Sequence, residues 1–359
     1  MDRATEPDED QEDDEDYEEE DSSDEVVVPW YRVGRGVLIR SGVALVLLAV
    51  SAGGGWWGWT WWQGRPPGDV TRRVALPAGS VTELVFSNAG TTLAAGTASG
   101  SVLFLTREDW STRGESAITT QPLTAMVATR DGHLLASTLG ERLLLWDWKE
   151  LGSRVMPGLP APPTALATHP ETSEIVVGLA TGGLWRLDVA TGASRVEERG
   201  HGGAVTGLQF GPRGAWLAST DATGELRVTW ADPQREAVNR REHTSQISSL
   251  AQSASGKTVA TADWNGSVLL WNPANWTVER RLEGANSAVS RLVATETRLF
   301  AGSWSGDVVV WKVPSGEVER RVACGYAVQA LAVSADETLL VTGGAGRFVD
   351  VRALGDASR

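Results

Sequence analysis

The chain has 359 residues, one cysteine, four histidines and a net charge of −14. Its length exceeds one ordinary core, so several domains or one large repetitive fold are expected, and an apolar fraction of 42% excludes a collagenous or wholly disordered chain. The lone Cys324 excludes an internal disulfide framework and a cysteine-based zinc site, and no two histidines sit at metal-ligand spacing.

The charge is local. Met1–Glu25 hold sixteen Asp or Glu and one Arg, whereas the remaining 334 residues carry a net charge of +1. The run EPDEDQEDDEDYEEEDSSDE repels itself and cannot bury apolar surface, so residues 1–28 are expected to form a disordered acidic tail. Such a tail solvates its neighbours or attracts a basic partner. The near-neutral body argues against nucleic-acid binding. Its one basic pair, Arg240 and Arg241, adjoins Glu242 and reads as solvated surface.

Residues 37–62 are predicted to form a transmembrane helix. From Ser41 to Trp62 there are 22 uncharged residues, about 33 Å of helix and enough to cross the hydrocarbon layer. Trp30 and Tyr31 precede the span, and Trp56, Trp57, Trp59, Trp61 and Trp62 close it, as interfacial anchors do. A signal peptide cut near Val50-Ser51-Ala52 and a buried core helix are the alternatives. Arg32, Arg35 and Arg40 lie closer to the span than Arg65, Arg72 and Arg73, which favours a cytoplasmic N-terminus with the C-terminal part outside. Three Lys against twenty-nine Arg suggest a GC-rich bacterial genome, hence an inner membrane. Residues 63–71, with the stretch GRPPGD, read as a linker.

From residue 72 to 355 a repeat runs through the chain. Comparable segments begin at Val81, Thr124, Thr164, Val205, Ile247, Val289 and Val328, at spacings of 39 to 43 residues. Each opens with an alternating strand such as VTELVF and passes a polar turn to a second strand such as TLAAG. A Gly-containing turn then leads to a third strand such as SVLLW. Short strands at even spacing predict an all-β protein. Seven such units close into a seven-bladed β-propeller of four-stranded antiparallel blades.

The segments GSVLLWN and RLLLWDW, with Gly200-His201, resemble the WD-repeat signature. The resemblance covers Arg72 to about Arg352. It implies a structural tetrad in each blade: a third-strand Trp, a second-strand Ser or Thr, a turn Asp and a histidine. Trp146, Trp271 and Trp311 take the Trp position, which elsewhere holds Leu105, Leu187, Thr229 and Val351. His201 and His243 take the histidine position. The turn Asp is read as replaced by Ser99, Gly140, Thr181, Thr223, Asn265, Ser305 and Ala345, so no blade is expected to hold the full tetrad. The resemblance also implies that the strand Arg73–Leu76 completes the last blade and closes the ring.

No catalytic, cofactor-binding or metal-binding constellation stands out. There is no HExxH and no calcium loop outside the acidic tail, and GTASGS and GGAGR recur where blade turns are needed. His133 and His169 fall at strand and turn ends. Partner recognition remains, and Trp264 and Trp304 occupy the same turn of neighbouring units, each read as preceding the tetrad-Asp position. In WD-repeat proteins this turn faces a partner-binding top surface. Equivalent positions are Ala98, Leu139, Ala180, Ala222 and Gly344, of which Leu139 joins the tryptophans as a candidate contact. The expected function is a membrane-anchored, non-catalytic scaffold for an unknown protein partner. The alternatives are an exported enzyme or ligand-binding propeller with a channel site, and a regulatory membrane protein whose acidic tail is the effector.

Overall fold

A computed structural model describes residues 69–355, other than 78, 118, 141, 157, 198 and 199. The predicted tail, the predicted span and most of the linker lie outside the described residues. Among the described residues no helix is long and apolar enough to cross a membrane.

Seven four-stranded antiparallel sheets form a propeller. Blade one holds Val81–Phe86, Thr92–Thr97, Ser101–Thr106 and Thr112–Ala117. Blade two holds Leu123–Ala128, His133–Thr138, Arg142–Asp147 and Ser153–Val155. Blade three holds Pro163–Thr168, Glu174–Leu179, Leu184–Asp188 and Ser194–Glu197. Blade four holds Val205–Phe210, Trp216–Asp221, Leu226–Trp230 and Val238–Arg240. Blade five comprises Ile247–Gln252, Val259–Asp263, Val268–Asn272 and Thr277–Leu282. Blade six comprises Val289–Ala294, Arg298–Ser303, Asp307–Lys312 and Val318–Ala323. Blade seven joins Val328–Val333, Leu339–Gly344 and Phe348–Ala353 to the N-terminal strand Arg72–Ala75. Arg72 pairs with Val351 and Ala75 with Phe348, so the predicted closure is present, one residue earlier than expected. Each blade's inner strand neighbours the next around the ring, and that of blade seven lies beside that of blade one.

The core is not one mass but seven layers. Each of seven buried apolar clusters fills one seam between consecutive blades. Strand alternation explains this, because successive side chains point to opposite faces and every blade has a neighbour on both. The seams demand small residues where an inner strand crosses the preceding blade. A Cβ on Gly343 would come within 2.6 Å of Val81 in the seam that closes the ring.

Every inner strand bulges after its first residue. Six of the seven bulged residues are hydroxylic: Thr82, Thr124, Thr164, Thr206, Ser248 and Ser290. Thr164 and Ser248 each donate to a carbonyl of the second strand at 3.1 Å, and Thr206 meets the Thr220 hydroxyl at the same distance. The extra residue that a bulge leaves out of the ladder is thus tied back by its own side chain.

Candidate functional site

The tetrad positions set which turns are rigid. In blade five the Trp271 indole N–H donates to Thr261 Oγ1 at 2.8 Å, and Thr261 Oγ1 lies 2.7 Å from His243 Nε2. His243 Nδ1 lies 2.9 Å from Asp263 Oδ2. The proton order follows from the donor inventory. The indole can only donate, so the Thr261 hydroxyl donates onward to Nε2 and the Nδ1–H donates to the carboxylate. All four side chains are buried. Blade five therefore carries the complete tetrad, contrary to the expectation from sequence.

The error was one of register. The carboxylate is Asp263, at the end of the second strand, not the position of Asn265 in the turn. Asp263 Oδ1 accepts from the backbone N–H of Asn265 and of Ser267, each at 2.9 Å, so the side chain caps the turn that follows it. Asp221 does the same in blade four, accepting from Thr223 and Glu225. The legible signal was Asp-x-x-Gly, present as Asp263…Gly266 and Asp221…Gly224.

His201 Nε2 lies 2.7 Å from Ser219 Oγ, and its Nδ1 lies 3.5 Å from Asp221. Blade four lacks only the Trp, replaced by Thr229. Trp146 and Trp311 are fully buried but make no tetrad, because Ala136 and Ala301 stand where Thr261 stands. Their indoles donate instead to Ser116 Oγ at 3.0 Å and to the Glu283 carbonyl at 2.8 Å.

Blade seven rebuilds the network with other residues. Cross-strand pairing puts Arg352, not Val351, at the Trp position, opposite Leu340. Its Nη1 donates to Thr342 Oγ1 at 2.8 Å, as an indole would. Cys324 sits at the histidine position, and burial pushes its thiol up to about 11, so it remains protonated. The Tyr326 hydroxyl lies 2.8 Å from Thr342 Oγ1 and 3.2 Å from Asp350 Oδ2. Asp350 is fully buried, and Arg73 of the closing strand grips it through Nε at 2.6 Å and Nη2 at 2.8 Å. Arg352 also reaches Asp69 at 3.3 Å and Asp350 at 3.5 Å.

Both histidines have pKa values lowered, first because burial disfavours the imidazolium, with Asp221 and Asp263 partly opposing. They are neutral structural groups. A histidine whose folded pKa lies below its ordinary 6.5 binds protons more readily when unfolded. It therefore contributes stability that is complete above 6.5 and is lost as pH falls toward the folded pKa. Urea midpoints should accordingly drop between about pH 7 and pH 5, above the carboxylate range. A His201→Phe/His243→Phe double variant should show a flatter profile over that interval. An equally steep drop in the double variant would assign the effect to other groups.

The inner strands contain no histidine and only two charged residues, Glu83 and Arg291, which pair with each other. Among the described residues no cluster of three or more His, Cys, Asp or Glu is placed to hold a metal.

Trp264 and Trp304 do come together. Their rings stack with centroids 5.8 Å apart and planes 25° apart, and the residues are 46% and 42% exposed. Each immediately follows its tetrad position, Asp263 or Ser303, rather than preceding it. The blade-seven equivalent is therefore Ala345, not Gly344. Their backbones are fixed by Trp264 N–H to the Gln246 carbonyl and Trp304 N–H to that of Ala288. Leu139 is 54% exposed but belongs to blade two, three blades from blade five, so it stands apart from the aromatic pair.

Residues 194–228 and 236–272 match the family model of the WD domain, G-beta repeat. These two stretches end in the third strands of blades four and five, and they contain both histidine–hydroxyl–carboxylate networks. The chain is also similar to the serine-threonine kinase receptor-associated protein of Dictyostelium discoideum, with 27% identity over 106 residues. That match covers 30% of this chain and 36% of the relative, so the chain matches about a third of the relative's length.

Proposed function

We propose that this protein is a non-catalytic binding platform, held at a membrane by residues 37–62, whose protein partner docks on the Trp264–Trp304 stack. One observation carries the reading: two large aromatic side chains lie half-exposed and stacked on rigidly capped turns of adjacent blades. A wedge between blades would be buried, as Trp146, Trp271 and Trp311 are. Exposed tryptophans on fixed backbone lose few rotamers on binding and bury much area. The name of the similar Dictyostelium protein, receptor-associated, fits a role in protein association. The paired Glu83 and Arg291 leave the inner strands no unpaired charge for chemistry. The membrane assignment rests on the uncharged, tryptophan-flanked run from Ser41 to Trp62. We place the N-terminus in the cytoplasm, the propeller outside it and the span in a bacterial inner membrane.

Capture from carbonate-washed membranes tests both parts. The full chain is expected to remain in the washed membrane, and crosslinking there to recover a specific partner. Trp264→Ala or Trp304→Ala should weaken that capture by about 1–3 kcal/mol while leaving the melting temperature nearly unchanged. A large fall in melting temperature without a specific loss of capture would overturn the docking assignment. Release of the intact chain by carbonate would overturn the anchor.

A further inference from the structure

The turn between the third and fourth strands is built alike in five blades. Trp110, Leu151, Gly192, Trp276 and Gly316 each donate a backbone N–H to the carbonyl four residues back, and each has a positive φ, between 56° and 75°. Glycine takes that conformation freely, whereas a bulky side chain is strained there. Three blades nevertheless hold a bulky residue, and in each it plugs the seam with the preceding blade. Trp110 packs against the cluster that holds Val351 and Leu93, and Leu151 against the one that holds Phe104 and Leu134. Trp276 shares a cluster with Val228 and Val259. In every case the first wall residue precedes the tetrad Trp position of the preceding blade. The second lies opposite that position in the plug's own blade.

The seam between blades two and three has the same walls and no plug. Leu145 and Ile175 are the corresponding residues, both buried in one cluster. The turn, however, ends in Gly192, and a Cβ there would meet nothing within 4 Å. A cavity of about 320 Å³ opens instead, lined by Leu145, Ile175, Val189, Thr129 and Thr168 among others. Gly316 leaves no such opening, since a Cβ there would collide with Arg280 and Leu282. The volume falls within the roughly 300–1,000 Å³ of small-molecule sites. Exposed Asp131, Glu171 and Thr172 also line it, so its mouth opens to solvent.

The sister seam shows what chemistry fits such a space. The Trp276 indole is fully buried, and its N–H finds no acceptor in the protein. Shape and apolar contact alone therefore hold a flat bicyclic ring there, edge-on to Trp216 at 4.8 Å between centroids. The charged groups around the open cavity are engaged with protein partners. Asp131 accepts from Thr129, Arg130 donates to the Glu171 carbonyl at 2.7 Å, and Glu174 pairs with Arg186.

We infer that the cavity between blades two and three binds a small neutral aromatic molecule of indole size, which takes the place that a plug side chain takes in the sister seams. The site is independent of the Trp264–Trp304 stack, which lies on blades five and six.

The probe is indole, titrated calorimetrically into the full chain in detergent micelles, with a titration into micelles alone subtracted. Saturable one-to-one binding is expected, and Gly192→Trp should abolish it by supplying the missing plug. Absence of saturable binding would overturn the inference, as would binding that survives in Gly192→Trp. A second measurement needs no variant. With isoleucine δ1-methyl groups labelled for NMR, indole should shift the Ile175 signal to saturation. It should leave that of Ile247, buried in the seam that Trp276 plugs, in place. An unmoved Ile175 signal would remove the site.

Discussion

A chain that begins at Asn88 is expected not to fold, whereas one that begins at Asp69 is expected to be soluble and to melt cooperatively. The shorter chain lacks two strands. Without Arg72–Ala75, the strand Phe348–Ala353 loses its outer partner, and its N–H and C=O groups form an open edge. Without Val81–Phe86, blade one loses its inner strand, and the seam between blades seven and one loses Leu76, Val81 and Leu84 from a cluster that includes Leu93, Val341 and Val351. In a ring the loss is not local. Each blade buries its faces on two neighbours, so an open seam exposes apolar surface on both sides of the gap. The longer chain retains Asp69, which contacts Arg352, and Thr71, whose N–H donates to the Val351 carbonyl. Size-exclusion chromatography and thermal melting of the two fragments make the comparison. A monodisperse, cooperatively melting fragment from Asn88 would show that the ring does not depend on this strand.

Asp350→Ala is expected to destabilise the propeller by about 3–5 kcal/mol, the cost of breaking a buried ion pair by removing one partner. Asp350 is fully buried, and Arg352 is 2% exposed. Removing the carboxylate leaves the Arg352 guanidinium in the interior with Asp69 as its remaining described carboxylate, and it removes an acceptor from Arg73 and from the Tyr326 hydroxyl. Burial already holds the Tyr326 phenol well above its usual pKa, so it stays a neutral donor and cannot supply the lost charge. Arg73→Ala should cost less, because Asp350 keeps Arg352 and Tyr326. Because Arg73 is the cross-strand partner of Asp350, both variants should also loosen the closing strand, read as faster amide exchange across Arg72–Ala75. Equal urea midpoints for the wild type and Asp350→Ala would mean that apolar packing alone closes the ring.

The architecture was legible because its signals are local. Alternation at Val81–Phe86 or Val205–Phe210 reports a strand with a buried neighbour on each side, and a spacing near 41 residues reports the blade. The closing strand was legible for the same reason, since Arg73-Val74-Ala75 alternates just ahead of the first unit. The exposure of Trp264 and Trp304 could be expected from a turn position shared by adjacent units.

What failed depended on register and on neighbours. A bulge after the first residue of every inner strand offsets the pairing, so the tetrad carboxylate could not be placed by counting from the strand start. Asp263 was missed for Asn265 on that account, and Arg352 was missed for Val351 because cross-strand pairing alone sets it opposite Leu340. The chemistry at those places is collective. Whether Trp146 belongs to a tetrad depends on Ala136 across the strand, and whether Gly192 leaves a cavity depends on Leu145 of the preceding blade. Period and pattern are properties of one segment, and so the seven-bladed ring could be read along the chain. The polar networks and the cavity are properties of residues from different strands or blades, and so they exist only once the chain has folded and set those residues face to face.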